Sequence, residues 1–163
     1  MPKAITNTFP LLYLYRANRI EWLDELFDEV WTPNAVIEEL EEGKKRGDDV
    51  PLAQNYSWLK IRTPRSTPSE WLTLDLGKGE LETMSLALEN KNRIVILDDA
   101  LARKIAQAAK IEVWGTLKVL LETKSQGLIK NIKPDINRLQ KSGMWLSDDI
   151  RQRVLRLAGE ENP

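Results

Sequence analysis

Oxygen-bearing side chains occur in this sequence where short β-prone runs end or helical patterns turn: Asn7, Glu39, Glu80, Asp98 and Asp99. Asn7 follows the run Lys3–Thr6, and the Asp98-Asp99 pair follows the run 93–97, so these positions share one edge if their strands are neighbours in a sheet. In an open α/β sheet, ligands bind in the crevice beyond the carboxyl ends of the strands. Glu39 lies at the border of the apolar stripe Val36, Ile37 and Leu40. Glu80 stands in a first turn beside the stripe Leu81, Met84 and Leu88, with Glu82 as its neighbour further round. A carboxylate at a stripe's border reaches a pocket, and one on the far face does not. Acids gathered in one cleft repel each other unless a divalent cation neutralises them, and Mg²⁺ or Mn²⁺ matches an all-oxygen ligand set. Such a cation acidifies a bound water and clamps a phosphodiester oxygen. The same residues also have a plainer reading, in which Asp98-Asp99 is a helix N-cap pair and Glu38-Glu39-Glu41-Glu42 a solvated face.

Composition narrows the chemistry. The 163 residues include no His and no Cys. That excludes an imidazole base, a Ser-His-Asp or Cys-His nucleophile, a thiolate zinc site and a disulfide. Lys and Arg number 24 against 25 Asp and Glu, a formal net charge of −1, so a polyanion must be met by a local patch rather than a global basic field. Candidates for such a patch are Lys44-Lys45-Arg46, Arg62 with Arg65, and Arg103-Lys104. No apolar run reaches the ~20 residues that span a bilayer, and the N-terminus has no apolar run of signal-peptide length. The expectation is a cytoplasmic protein with no membrane segment.

The elements that must position these residues alternate between strand and helix, which points to an α/β fold with a mostly parallel, about five-stranded sheet. Strands are predicted at Lys3–Thr6, Glu29–Thr32, 58–62, 93–97 and 112–114. The fourth, Ile94-Val95-Ile96-Leu97, is a continuous aliphatic run of the kind covered on both faces. Helices are predicted from Pro10, through Trp22, Leu23 and Leu26, from Pro33 to an end at Gly43, after Gly79 to about Asn90, over 100–109, after Gly115, over 135–141 and over Asp148–Leu157, the last capped by Ser147. Segment 41–56 is expected to be a flexible loop and 63–69, with two prolines, another. The length suits one domain, with about 128–163 a C-terminal helical extension of the same unit. Trp22, Trp58 and Trp114 fall in apolar patterns, whereas Trp145, between Gly143 and Ser147, is expected to be exposed.

The order of motifs resembles the PIN-domain family, in its bacterial and archaeal branch related to toxin ribonucleases of the VapC kind. The resemblance is carried by Ile5-Thr6-Asn7-Thr8-Phe9-Pro10, Thr32-Pro33-Asn34-Ala35-Val36-Ile37-Glu38-Glu39-Leu40, Leu76-Gly77-Lys78-Gly79-Glu80-Leu81-Glu82, Leu97-Asp98-Asp99-Ala100-Leu101-Ala102-Arg103, Val113-Trp114-Gly115-Thr116 and Lys124-Ser125-Gln126-Gly127. It implies a three-layer α/β/α sandwich and a Mg²⁺- or Mn²⁺-dependent ribonuclease, with the cation held by Asn7, Glu39, Glu80 and Asp99. Catalytic roles fall on Glu39, Glu80, Asp98 and Asp99, with Glu82 as the alternative to Glu80. Arg103 and Thr116 are implied on the nucleic-acid side, the Thr116 hydroxyl near the metal. The partners implied are single-stranded or structured RNA, a small antitoxin protein and a second copy in a homodimer.

This chain departs from the family at its first acid, where Asn7 stands in place of Asp and Phe9 in place of a small hydroxyl residue. An amide oxygen ligates a cation without adding charge, so affinity and water activation should fall. The alternative is therefore a PIN fold without catalysis that binds nucleic acid or a protein. A receiver-type phosphorylation domain and a haloacid-type phosphatase both need acids after the first strand and fail at Asn7-Thr8. Gly77-Lys78-Gly79-Glu80 lacks the Gly-Lys-Ser/Thr ending of a phosphate loop.

Overall fold

Side-chain alternation along the strands sorts the chain into layers. The computed structural model describes residues 1–160. Strands β1 (Lys3–Thr6), β2 (Glu29–Thr32), β3 (Leu59–Ile61), β4 (Ile94–Ile96) and β5 (Val113–Trp114) form an all-parallel sheet in the order β3-β2-β1-β4-β5. Ala4, Val30, Ile94 and Ile96 face one apolar layer, and Ile5 and Val95 face the other. The first layer is filled from α1 (Thr8–Arg16), α2 (Trp22–Leu26), α6 (Thr116–Ser125), α7 (Lys133–Lys141) and α8 (Asp148–Leu157). The second is filled from α4 (Lys78–Glu89) and α5 (Ala100–Ala108). Helix α3 (Asn34–Lys45) buries Val36 and Leu40 with the first cluster while lying against α4. The result is the three-layer α/β/α sandwich expected. Among the described residues no helix is long and apolar enough to cross a membrane.

The C-terminal helices belong to this packing. Ile132, Ile136 and Leu139 of the α7 region and Val154 and Leu155 of α8 are buried in the same cluster as β1. Glu160 pins the chain beyond α8: it takes the Lys124 ammonium at 2.8 Å and accepts the Ile132 N–H at 2.8 Å. Residues 161–163 of the predicted extension lie outside the described residues.

Among the boundaries that differ from the sequence reading, two lie on the helices that carry Glu39 and Glu80. Helix α3 does not stop at Gly43 but runs to Lys45, because Gly43 is buried and its missing Cβ makes room for the Val50 methyl, 3.2 Å from where a Cβ would stand. The terminating glycine is Gly47, whose φ of +88° lets its N–H reach the Lys44 carbonyl while Asp48 N–H bonds the Gly43 carbonyl. Residues 41–45 of the expected flexible loop are thus helical, and Ala53–Asn55 forms a 3₁₀ turn within it. Helix α4 starts at Lys78, one residue before Gly79, so that glycine lies in the first turn.

Sheet order determines where a site can lie. From β1 the chain moves out to β2 and β3 on one side, then returns to β4 and β5 on the other. The order reverses between β1 and β4, where neighbouring crossovers leave a crevice at the carboxyl ends. Thr6 pairs with Ile96 in register, and Asn7 N–H donates to the Ile96 carbonyl at 3.1 Å. Asn7 and the Asp98-Asp99 pair therefore flank this switch point.

Candidate metal centre

Each acid at the switch point is held by a different device. Asn7 is 2% exposed at the end of β1, and its side-chain oxygen faces the Thr83 hydroxyl on α4 at 3.5 Å. Next to it, the Thr8 hydroxyl donates to Glu39 Oε2, and Gly79 N–H donates to Glu39 Oε1 at 2.8 Å. Glu39 thus reaches from α3 to the N-terminus of α4, where free N–H groups and the helix dipole favour an anion. The seat exists because residue 79 is glycine: a Cβ there would stand 2.5 Å from Glu39 Oε1. Glu82 reaches the opposite way, with Ala35 N–H at the start of α3 donating to it at 3.4 Å. Helices α3 and α4 run against one another and exchange carboxylates at their N-termini.

Glu80 stands among like charges. Burial pushes its carboxyl above the ordinary range, and the negative charges of Asp99 and Glu39 push it further, while the Gly77 N–H draws it back. The charges of Asp99 and Glu39 are thus felt at Glu80, whereas Glu82 accepts the Ala35 N–H. Asp99 has extended backbone and caps α5, accepting the Ala102 N–H at 2.8 Å.

Asp98 belongs to a different cluster. It accepts the Thr116 N–H at 2.8 Å and the Thr116 hydroxyl at 2.6 Å, and Arg103 faces it. Burial raises its carboxyl above the usual range against the pull of Thr116 and Arg103. Thr116 is 0% exposed, so its hydroxyl holds Asp98 rather than meeting a ligand directly. Gly115 allows the Arg103 guanidinium to lie over the backbone, 2.8 Å from where a Cβ would be.

The expected residues thus fall into two groups: Asn7 and Glu39 held against the start of α4, which carries Glu80 and feels the charge of Asp99, and the bonded cluster of Asp98 and Thr116 with Arg103 facing it. Among the described residues, no three acids are close enough to form a ready cation cage. The donor chemistry of the first group suits a hard ion. Its donors are all oxygen, and its Glu80 charge is opposed by neighbours that a cation would neutralise. Mg²⁺ is commonly held by one or two carboxylates, with water and substrate phosphate completing the shell. Sequence reasoning missed Thr8, Gly79 and Thr83. The signals for the first two were a hydroxyl directly after a strand end and a glycine directly before Glu80.

The Glu80 environment has a consequence for stability. A carboxyl whose folded pKa lies above its ordinary 4.5 favours the fold fully below that value, and the favour is lost as pH rises through the folded pKa. At neutral pH, without a divalent cation, Glu80→Gln is therefore expected to melt above the parent by a few degrees and to flatten the fall in Tm between weakly acidic and neutral pH. Melting curves across that window check this, and a Gln variant that melts lower at neutral pH would remove the like-charge account.

Comparison with known proteins agrees with the fold. The family model DUF3368, described as a PIN domain, matches residues 3–160 of this chain. Among solved structures, the chain is similar to a PilT N-terminus domain protein from the hyperthermophilic archaeon Sulfolobus solfataricus. The identity is 16% and the TM-score 0.55, over 74% of this chain and 92% of that one. At that identity the likeness concerns the fold alone. No curated protein matches.

Proposed function

The chain belongs to the PIN-domain family, whose members are generally metal-dependent nucleases, and from that premise we propose that it is a cytoplasmic Mg²⁺- or Mn²⁺-dependent ribonuclease of the toxin type. Its substrate is single-stranded or structured RNA, its active form a homodimer and its regulator a small antitoxin protein. The observation that carries the reading is the seat of Glu39 on Thr8 and the Gly79 N–H, which brings α3 to the N-terminus of α4 next to Glu80 and beside Asn7 at the switch point.

In this reading Asn7, Glu39, Glu80 and Asp99 hold the cation. When bound, the cation supplies Lewis-acid stabilisation of the phosphodiester and a more acidic water. Thr8 and Gly79 keep Glu39 aimed, so that no rearrangement is needed when substrate arrives. Glu80 would take the proton of the attacking water. Asp98, anchored by Thr116, orients Arg103 toward the phosphate. None of these steps requires an imidazole or a thiol, in keeping with a chain that has neither.

A second reading, a nucleic-acid- or protein-binding PIN fold without catalysis, is favoured by Asn7, which leaves the set one charge short. Asn7→Asp separates the two. The added charge is expected to tighten Mn²⁺ binding roughly tenfold, ligand charge count being a main control of affinity, and to speed digestion of RNA. It should also lower the melting point of the cation-free protein, because the new carboxylate is buried beside Glu39 and Glu80. Titration calorimetry with Mn²⁺ and an RNA digestion assay measure both. Unchanged Mn²⁺ affinity would mean that position 7 is no ligand, and absence of cleavage in both forms would favour the binding module.

A further inference from the structure

A pocket of about 390 Å³ opens beside the Asp98 cluster, lined in part by Tyr13, Asp98, Arg103, Gly115, Lys118 and Trp145. That volume lies in the range of small-ligand sites. Trp145 stands on the turn between α7 and α8 with 83% of its surface exposed. The turn itself is well anchored. Met144 N–H bonds the Leu139 carbonyl at 3.1 Å, Met144 and Leu146 on either side pack on the core, and Ser147 caps α8 through the Ile150 N–H at 3.2 Å. The largest apolar side chain type is therefore turned outward from a segment whose neighbours are turned in.

We propose that this pocket is a nucleotide subsite, in which an unpaired base of single-stranded RNA stacks on Trp145 while Arg103 and Lys118 take its flanking phosphates. The inference rests on the nucleic-acid reading above and adds to it a residue that selects single strands. Charge complementarity decides the occupant: Arg103 and Lys118 line the pocket beside an exposed indole, the combination that tracks a phosphate backbone and stacks bases, and a phosphate would be shared with the carboxylates they now face, Asp98 and Glu122, the latter 2.9 Å from Lys118 Nζ. Continuity decides the direction. Asp98 lines the pocket, and Asp99, next in the chain, turns to the other side of the same backbone, so a strand with one base on Trp145 reaches the carboxylate group by passing over the carboxyl end of β4. A base paired in a duplex has both faces covered and cannot use such a platform.

The test uses the full chain in EDTA, which prevents cleavage, with a fluorescein-labelled single-stranded RNA and its duplex as probes read by anisotropy. Trp145→Ala is expected to weaken single-strand binding tenfold or more, stacking on one aromatic being worth that much. Trp145→Phe is expected to stay within about threefold of the parent, and duplex binding to change less than twofold in either variant. Because Trp145 is so exposed, both variants should melt with the parent. Single-strand binding within twofold of the parent in Trp145→Ala would overturn the subsite. So would RNA binding unchanged while sedimentation shifts from dimer to monomer, which would make Trp145 a protein contact. Failure of the parent to bind either probe would overturn it as well. Trp145-dependent binding without any Mn²⁺-dependent cleavage would leave the subsite standing and remove the nuclease reading.

Discussion

Asp99→Asn is expected to abolish Mn²⁺-dependent RNA cleavage, lowering it on the order of 10³-fold, while leaving the cation-free fold nearly unchanged. Asp99 caps α5 through the Ala102 N–H, and Asn caps a helix as well as Asp does. Only the charge is lost, which near a helix N-terminus costs about 0.3–1 kcal/mol. A cation's stabilisation of a developing phosphodiester charge is worth several kcal/mol, and each 1.36 kcal/mol is a factor of ten in rate. The melting response should vanish in parallel. A cation at about 100 times its Kd stabilises by about 2.7 kcal/mol, or roughly 5–11 °C for a chain of this length. Thermal melts of parent and variant with and without Mn²⁺, alongside RNA digestion, provide the measurement. A variant that keeps the parental Mn²⁺ shift would show that the cap is all Asp99 does.

Gly79→Ala is expected to produce the reverse pairing of a large effect with a mild substitution: loss of the Mn²⁺ response and of cleavage with stability within about 1 kcal/mol of the parent. The added methyl would lie 2.5 Å from Glu39 Oε1, 2.7 Å from Oε2 and 2.8 Å from Cδ. These atoms end a flexible side chain on an exposed helix face, so Glu39 swings away from its seat at little cost. Replacing Gly by Ala inside a helix returns about 1 kcal/mol of propensity, which offsets the loss of the Gly79 N–H bond. The outcome separates a carboxylate placed for ligation from one that merely caps α4. If the variant unfolds, or keeps the parental Mn²⁺ affinity, Glu39 does not function from this seat. Gly79→Ser offers a control, since it adds the same Cβ and should behave alike.

Much of the scaffold is legible in the sequence. The ends of β1 and β2 coincide with the sequence reading, and β3, β4 and β5 are each one or two residues shorter than expected. Branched-aliphatic runs such as Ile94-Val95-Ile96 have few alternatives to a strand covered on both faces. Ser147 caps α8 as its residue type and position suggested. The end of α3 was misread because Gly43 looks like a stop signal in one dimension, whereas in the fold it makes space for Val50, a contact that no local pattern encodes.

By itself, the sequence determined an α/β sandwich, an acid set that runs in family order, and a chemistry restricted to oxygen donors by the absence of His and Cys. The α/β class and the restriction on chemistry follow from composition and from periodicities of two and 3.6, which are properties of the local backbone, whereas the sandwich and the order of the acids are what the resemblance to the PIN-domain family implies. Tertiary structure alone decided which acids meet. Asp98 and Asp99 are adjacent in the chain, yet on extended backbone successive side chains leave on opposite sides, so one goes to Thr116 and the other toward Glu80. Glu80 and Glu82 share one helix, but the packing of the N-terminal ends of α3 and α4 against each other gives Glu82 to Ala35 and Glu39 to Gly79. Those pairings depend on strand order, helix direction and a missing methyl group, each of which exists only once distant segments have packed together.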